Sequence, residues 1–121
     1  MPKILIVDDD ESASMLLEKI VAMSGNDPIS INDSTKALAL AKAESPELFL
    51  LDLMMPNLNG YELCELLRSE PQFEKTPIIV VSAMEDVSSK TKAREAGAND
   101  YVTKPYHIDD LIERMNKLLK A

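Results

Sequence analysis

Residues 4–10 read Ile4-Leu5-Ile6-Val7-Asp8-Asp9-Asp10, an apolar run of four residues that stops at three carboxylates. The run is too apolar for a half-exposed strand and suits a parallel sheet covered on both faces. Similar runs recur at Pro28–Ile31, Leu48–Leu51, Ile78–Val81 and Tyr101–Val102. Helical patterns fill the intervals. Residues 11–24 place Met15, Leu16, Ile20 and Met23 on one stripe, and residues 34–44 do so with Ala37, Leu38 and Ala41. Residues 60–69 carry Leu63, Cys64 and Leu67; the last helix carries Ile108, Leu111, Ile112, Met115, Leu118 and Leu119. A β-α unit repeated five times predicts an α/β fold: a five-stranded parallel doubly wound sheet with right-handed crossovers. Gly25, Gly60 and Gly97 mark helix boundaries. Asp33 or Ser34 can cap the second helix and Asp86 the fourth, and Asp109 and Asp110 suit the first turn of the last.

A chain of 121 residues fits one domain. At this size folding buries roughly two thirds of the unfolded surface, enough for a core. A hydrophobic fraction of 45% excludes a disordered chain. No apolar run approaches the ~20 residues of a membrane span, and the run after Met1-Pro2-Lys3 is too short for a secretory signal. The expected location is cytoplasmic. Acids outnumber bases 21 to 13, for a net charge of -8, which disfavours direct nucleic-acid binding. The single Cys64 excludes an internal disulfide and multi-Cys metal sites, and the single His107 a His-rich zinc site. The remaining chemical material is carboxylate, hydroxyl and lysine, and oxygen ligands suit hard cations such as Mg²⁺.

In open α/β sheets, ligands bind beyond the carboxyl ends of the strands, where the strand order reverses. Four strand ends carry polar residues: Asp8-Asp9-Asp10, Asp52, Ser82, and Thr103-Lys104. With the order 2-1-3-4-5 known for flavodoxin-like sheets, Asp8, Asp9 and Asp52 converge in one crevice. Converging carboxylates call for a cation, and Mg²⁺ needs only one or two of them. Asp52 then suits a carboxylate nucleophile that forms an acyl phosphate, beside a lysine and a hydroxyl for the phosphoryl oxygens. Each residue alone reads as a helix cap, a turn residue or a solvated side chain. Their shared end of the sheet carries the functional reading.

The sequence resembles the response-regulator receiver domains of bacterial two-component signalling, across residues 1–121. The resemblance rests on Ile4-Leu5-Ile6-Val7-Asp8-Asp9, on Leu50-Leu51-Asp52-Leu53-Met54-Met55-Pro56 through Gly60, on Val80-Val81-Ser82-Ala83, and on Gly97-Ala98-Asn99-Asp100-Tyr101-Val102-Thr103-Lys104-Pro105. It implies that Asp52 accepts a phosphoryl group from a phosphohistidine of a sensor histidine kinase or phosphotransfer protein. Asp9 and Asp52 would ligate Mg²⁺ with the Met54 backbone carbonyl, and Asp8 would act through water. Ser82 takes the position of the switch hydroxyl and Tyr101 that of the switch aromatic, while Lys104 pairs with a phosphoryl oxygen. The Lys104–Pro105 peptide is expected cis. Met54 and Met84, two beyond Asp52 and Ser82, flank the acyl phosphate and offer no group to orient water. A third acid, Asp10, is assigned to capping.

Residues 87–96, with Val87 and alanines as their apolar face, form the weakest helix and the easiest to shift. The implied readout is the face of the fourth helix, fifth strand and fifth helix, with Lys90, Lys92, Arg94, Asp100 and Glu113 supplying charge. It would act on an output protein or a fused effector domain; a homodimer on phosphorylation fits the family, though no residue decides it. The implied role is a signalling phosphoacceptor, not an enzyme, that assists its own phosphoryl transfer and autodephosphorylation. The rival is a haloacid-dehalogenase-like phosphohydrolase with Asp8 as nucleophile and Asp10 as acid/base; no acidic pair ends a late strand to support it. A non-phosphorylated receiver-like interaction domain and a flavin module of the same fold are the remaining readings.

Overall fold

Five parallel strands form one sheet in the computed structural model, which describes residues 1–120. The chain runs β1 (Lys3–Val7), α1 (Glu11–Met23), β2 (Asp27–Ile31), a 3-10 turn at Ser34–Lys36, α2 (Ala37–Glu44), β3 (Leu48–Leu51), α3 (Gly60–Ser69), a 3-10 turn at Pro71–Phe73, β4 (Ile78–Ser82), α4 (Val87–Ala96), β5 (Asp100–Thr103) and α5 (Ile108–Lys120). Ala121, expected to close the last helix, lies outside the described residues. The strand order is β2-β1-β3-β4-β5, a doubly wound flavodoxin-like sheet.

Both faces of the sheet are covered, which explains the unbroken apolar runs. Strand side chains alternate between faces. Ile4, Ile6, Leu48 and Leu50 pack with Leu17, Ile20 and Val21 of α1 and with Leu111 and Met115 of α5. Leu5, Val7, Phe49 and Leu51 pack on the other face with Ala37 and Ala41 of α2 and Leu63, Cys64 and Leu67 of α3. The two edge strands depart from full burial: β2 is the more exposed and carries Pro28, and in β5 only Val102 is buried.

Two apolar faces differ from their sequence-based reading. Along α1 the buried residues are Ser14, Leu17, Ile20 and Val21, whereas Met15, Leu16 and Met23 are exposed. The buried face includes Ser14, whose hydroxyl donates to the Glu11 carbonyl and accepts from Asn32, so a polar residue sits where an apolar stripe was sought. In α4, Val87 is 79% exposed, and the buried residues are Ser89 and Ala93. The weak packing expected of this helix is therefore weaker still. Asp10 and Asp86 cap α1 and α4 as expected, with side chains accepting from the Ser12 and Ser89 amides. Asp33 instead caps the 3-10 turn ahead of α2 through the Thr35 amide, and α2 starts after Lys36 without a side-chain cap.

Gly60 begins α3 directly beneath the β3 end. A Cβ there would overlap the Asp52 carbonyl oxygen, and the Gly60 amide donates to the Leu53 carbonyl at 3.0 Å. A residue without a side chain is what lets α3 start this close to Asp52.

Candidate functional site

Strand register brings the acidic residues together. Val7 pairs with Leu51, so the next residues, Asp8 and Asp52, leave adjacent strands side by side. The Asp52 amide extends the ladder by donating to the Val7 carbonyl at 3.0 Å. Ser82 is the last residue of β4, and the Lys104 amide beyond β5 donates to its carbonyl at 2.8 Å. The carboxylate, hydroxyl and amine groups thus lie at one end of the sheet, where the order reverses between β1 and β3.

Carboxylate oxygens of Asp8, Asp9 and Asp52 lie within 4.8 Å of one another. Asp8 is buried at 1% exposure, Asp52 is half-buried and Asp9 is exposed. Asp8 Oδ1 accepts from the Asp10 amide at 3.0 Å, and Asp8 Oδ2 accepts from Lys104 Nζ at 3.0 Å. Lys104 Nζ also lies 3.7 Å from Asp52 Oδ2, and Asp52 Oδ1 accepts from the Leu53 amide at 2.8 Å. Burial raises the Asp52 carboxyl above its ordinary value; Lys104 opposes this and Asp8 adds to it. Three carboxylates against one ammonium leave excess negative charge in a partly shielded crevice. All-oxygen donors of this kind fit a hard divalent cation such as Mg²⁺.

Ser82 and Tyr101 meet on a shared neighbour. The buried Ser82 Oγ accepts from the Met84 amide at 3.3 Å, while the Tyr101 hydroxyl donates to the Met84 carbonyl at 2.5 Å. Both groups therefore hold the backbone of one residue in the loop that leads into α4. Burial raises the Tyr101 hydroxyl above its ordinary value. The Met54 side chain is 65% exposed and that of Met84 is half-buried. The Lys104–Pro105 peptide is cis.

The charged residues expected on one face divide. Lys90 Nζ lies 5.9 Å from the Tyr101 ring centroid, toward β5, and Asp100 accepts from Arg114 at 2.7 Å. Lys92 instead faces α3, with Nζ 4.6 Å from the Tyr61 ring centroid.

Two supporting residues escaped the sequence reading. Asn32 Nδ2 donates to the Asp8 carbonyl at 2.8 Å and to Ser14 Oγ at 3.0 Å, tying β2's end to the acidic loop. Arg68 donates to the Gly97 carbonyl and to Asn99 Oδ1, joining α3 to the turn after α4. A single polar residue in a loop or a helix end carries no periodic signal, so neither stands out in one sequence.

The described helices include none long and apolar enough to cross a membrane. The model of the response regulator receiver domain family matches residues 4–116. A probable transcriptional regulator, ycf27, of Porphyridium aerugineum is 42% identical over 118 residues, covering 98% of this chain and 48% of that protein. A putative response regulator of Chloroflexus aurantiacus superposes with a TM-score of 0.95 at 32% identity, covering 99% of this chain and 98% of that one. The BeF3-activated N-terminal receiver domain of Klebsiella pneumoniae RstA gives a TM-score of 0.91 at 28% identity, covering 98% of this chain and 99% of that one. The chain spans about half the length of the curated relatives it matches. By sequence match and by superposition alike, it belongs to the response regulator receiver domain family.

Proposed function

We propose that the chain is the phosphoacceptor of a two-component phosphorelay, with Asp52 as the acceptor. The observation that carries this reading is the convergence of Asp8, Asp9 and Asp52 within 4.8 Å, with Lys104 Nζ 3.0 Å from Asp8 and 3.7 Å from Asp52.

An Asp52 oxygen attacks the phosphorus of a phosphohistidine. The new P–O bond forms as the P–N bond breaks, and its electron pair returns to the imidazole nitrogen. Asp9, Asp52 and the Met54 carbonyl would hold Mg²⁺, with Asp8 acting through water; the bound ion neutralises phosphoryl charge. Lys104 stands within reach of Asp52 to pair with a phosphoryl oxygen. Such transfer asks mainly for positioning and charge neutralisation, which these residues supply without a separate enzyme site.

The phosphoryl group adds negative charge and three acceptor oxygens at one strand end. Ser82 donates its hydroxyl to a phosphoryl oxygen and gives up the bond it accepts from the Met84 amide, and the loop that Tyr101 holds moves with it. α4, with only Ser89 and Ala93 buried, is the element biased by this local event. The α4-β5-α5 face then acts on an output protein or an attached effector domain, in the cytoplasm.

Incubation with Mg²⁺ and acetyl phosphate, read by intact mass, tests this. One phosphoryl group is expected on the wild type, none on Asp52→Ala, and slower labelling on Asp8→Ala. Labelling that survives in Asp52→Ala overturns the assignment.

A further inference from the structure

α4 is held unequally at its two ends. The C-terminal end is fastened from outside the helix. Gly97 closes α4 at φ +118°, and its carbonyl accepts from Arg68 Nε at 3.0 Å. The same guanidinium, reaching from the last turn of α3, donates to the Phe73 carbonyl at 2.8 Å, the Thr76 carbonyl at 2.5 Å and Asn99 Oδ1 at 2.7 Å. Asn99 is itself locked to the start of β4: Oδ1 accepts the Ile78 amide at 2.8 Å, and its amide donates to the Ile78 carbonyl at 2.8 Å. A Cβ on Gly97 would run into the Arg68 side chain, so the turn and the fork fit each other. One planar cation therefore joins α3, the 71–76 segment, β4 and the turn after α4. Charge-assisted bonds in a fixed fork are stronger and more directional than neutral ones.

The N-terminal end is held differently. Asp86 accepts from the Ser89 amide at 2.9 Å and from Ser89 Oγ at 2.8 Å, but these bonds lie within the helix start and travel with it. The hydrogen bonds that tie it to other elements, among the described residues, are made by neutral hydroxyls, beside a cation contact of Lys90 Nζ 5.9 Å from the Tyr101 ring centroid. Tyr101 donates to the Met84 carbonyl at 2.5 Å, Tyr61 donates to the Ser89 carbonyl at 3.4 Å, and Ser82 accepts from the Met84 amide at 3.3 Å. Val87 lies exposed beside them, so little apolar area resists a shift there.

We infer that Arg68 is the positioning residue of a hinge: α4 turns about its C-terminal end at Gly97, so that a displacement at Ser82–Met84 becomes a swing of its N-terminal half. The trigger rests on the proposed receiver function; the hinge itself rests on the bonding at the two helix ends. Arg68 touches neither the acidic cluster nor Ser82. Its part is to keep one end fixed, so that the loop movement is not lost as a loosening of the whole helix.

Hydrogen–deuterium exchange read by peptide mass spectrometry on the 121-residue chain tests this. Tyr101→Phe, which deletes the hydroxyl on Met84, is expected to speed exchange in residues 84–91 and leave 95–99 at the wild-type rate. Arg68→Met is expected to speed exchange in 95–99 by about tenfold or more, as loss of a hydrogen bond to a charged donor implies. Arg68→Lys is expected to do the same, because an ammonium cannot reproduce the fork; it serves where Arg68→Met fails to fold. With Mg²⁺ and acetyl phosphate, the wild type changes in 84–91, and Arg68→Lys spreads the change into 95–99. Equal loosening of both ends by Tyr101→Phe, or wild-type exchange at 95–99 in Arg68→Lys, overturns the hinge. Intact mass on the same samples separates the two readings: an unlabelled wild type counts against the receiver function, while the unphosphorylated variants still decide the hinge.

Discussion

Lys104 Nζ lies 3.0 Å from Asp8 Oδ2 and 3.7 Å from Asp52 Oδ2, so one ammonium stands between two strand-end carboxylates. Asp8 is 1% exposed, and without this partner its charge is buried alone. Lys104→Met is expected to cost about 3 kcal/mol in urea unfolding at pH 7 with chelator present, the low end for breaking a buried pair, because Lys104 keeps contact with water. Millimolar Mg²⁺ is expected to recover part of the loss by binding the folded acidic cluster. An unchanged urea midpoint in chelator would show that the pair contributes nothing.

Burial raises Asp52 above the ordinary value of 3.8. The folded state then holds the proton more tightly than the unfolded state, so stability falls as pH rises from 3.8 through the raised value. Below 3.8 both states are protonated and the penalty is absent. In chelator, Asp52→Asn is therefore expected to be more stable than wild type at pH 7, with the gap closing as the pH is lowered to that window. Urea midpoints at a series of pH values check this; a gap that widens toward acid contradicts it.

The first helix separates what sequence periodicity reveals from what it hides. Met15, Leu16, Leu17, Ile20, Val21 and Met23 are all apolar, so they cover more than one face of α1 and fit more than one stripe. The sheet selects Leu17, Ile20 and Val21, and it adds Ser14, which hydropathy cannot nominate. Leu17 is 2% exposed and Leu16 is 47% exposed. Leu17→Ala is expected to cost about 3 kcal/mol by chemical denaturation, and Leu16→Ala to stay within about 0.5 kcal/mol, as for surface substitutions. Equal costs would restore the stripe through Leu16.

The runs of β1, β3 and β4 are legible because burial on both faces leaves nothing polar in them, and Asp8, Asp9, Asp52, Ser82 and Lys104 because each lies within two residues of a run's end. What the sequence hid is cooperative: Asn32 beneath the Asp8 carbonyl, Arg68 across four segments, and the shared hold of Ser82 and Tyr101 on Met84. Each depends on residues brought together by the tertiary fold, for which local spacing carries no signal.

Met54 and Met84 stand two residues beyond Asp52 and Ser82, where the proposed receiver function puts them beside the phosphoryl group, and their thioethers neither donate to an attacking water nor take its proton. The double variant Met54→Asn, Met84→Glu is expected to lose its phosphoryl group about tenfold faster or more, within what a positioned polar group contributes to proton transfer. The decay of the phosphorylated mass after removal of acetyl phosphate measures this, and an unaltered lifetime contradicts the role given to the two methionines.

In the proposed function Asp52 carries the phosphoryl group. Borohydride reduces an aspartyl phosphate to homoserine, which marks the acceptor in a peptide mass spectrum. After labelling with Mg²⁺ and acetyl phosphate, homoserine is expected at position 52 and unmodified aspartate at positions 8, 9 and 10. Homoserine at position 8 with Asp52 intact would contradict it and assign the nucleophile to the first strand's end.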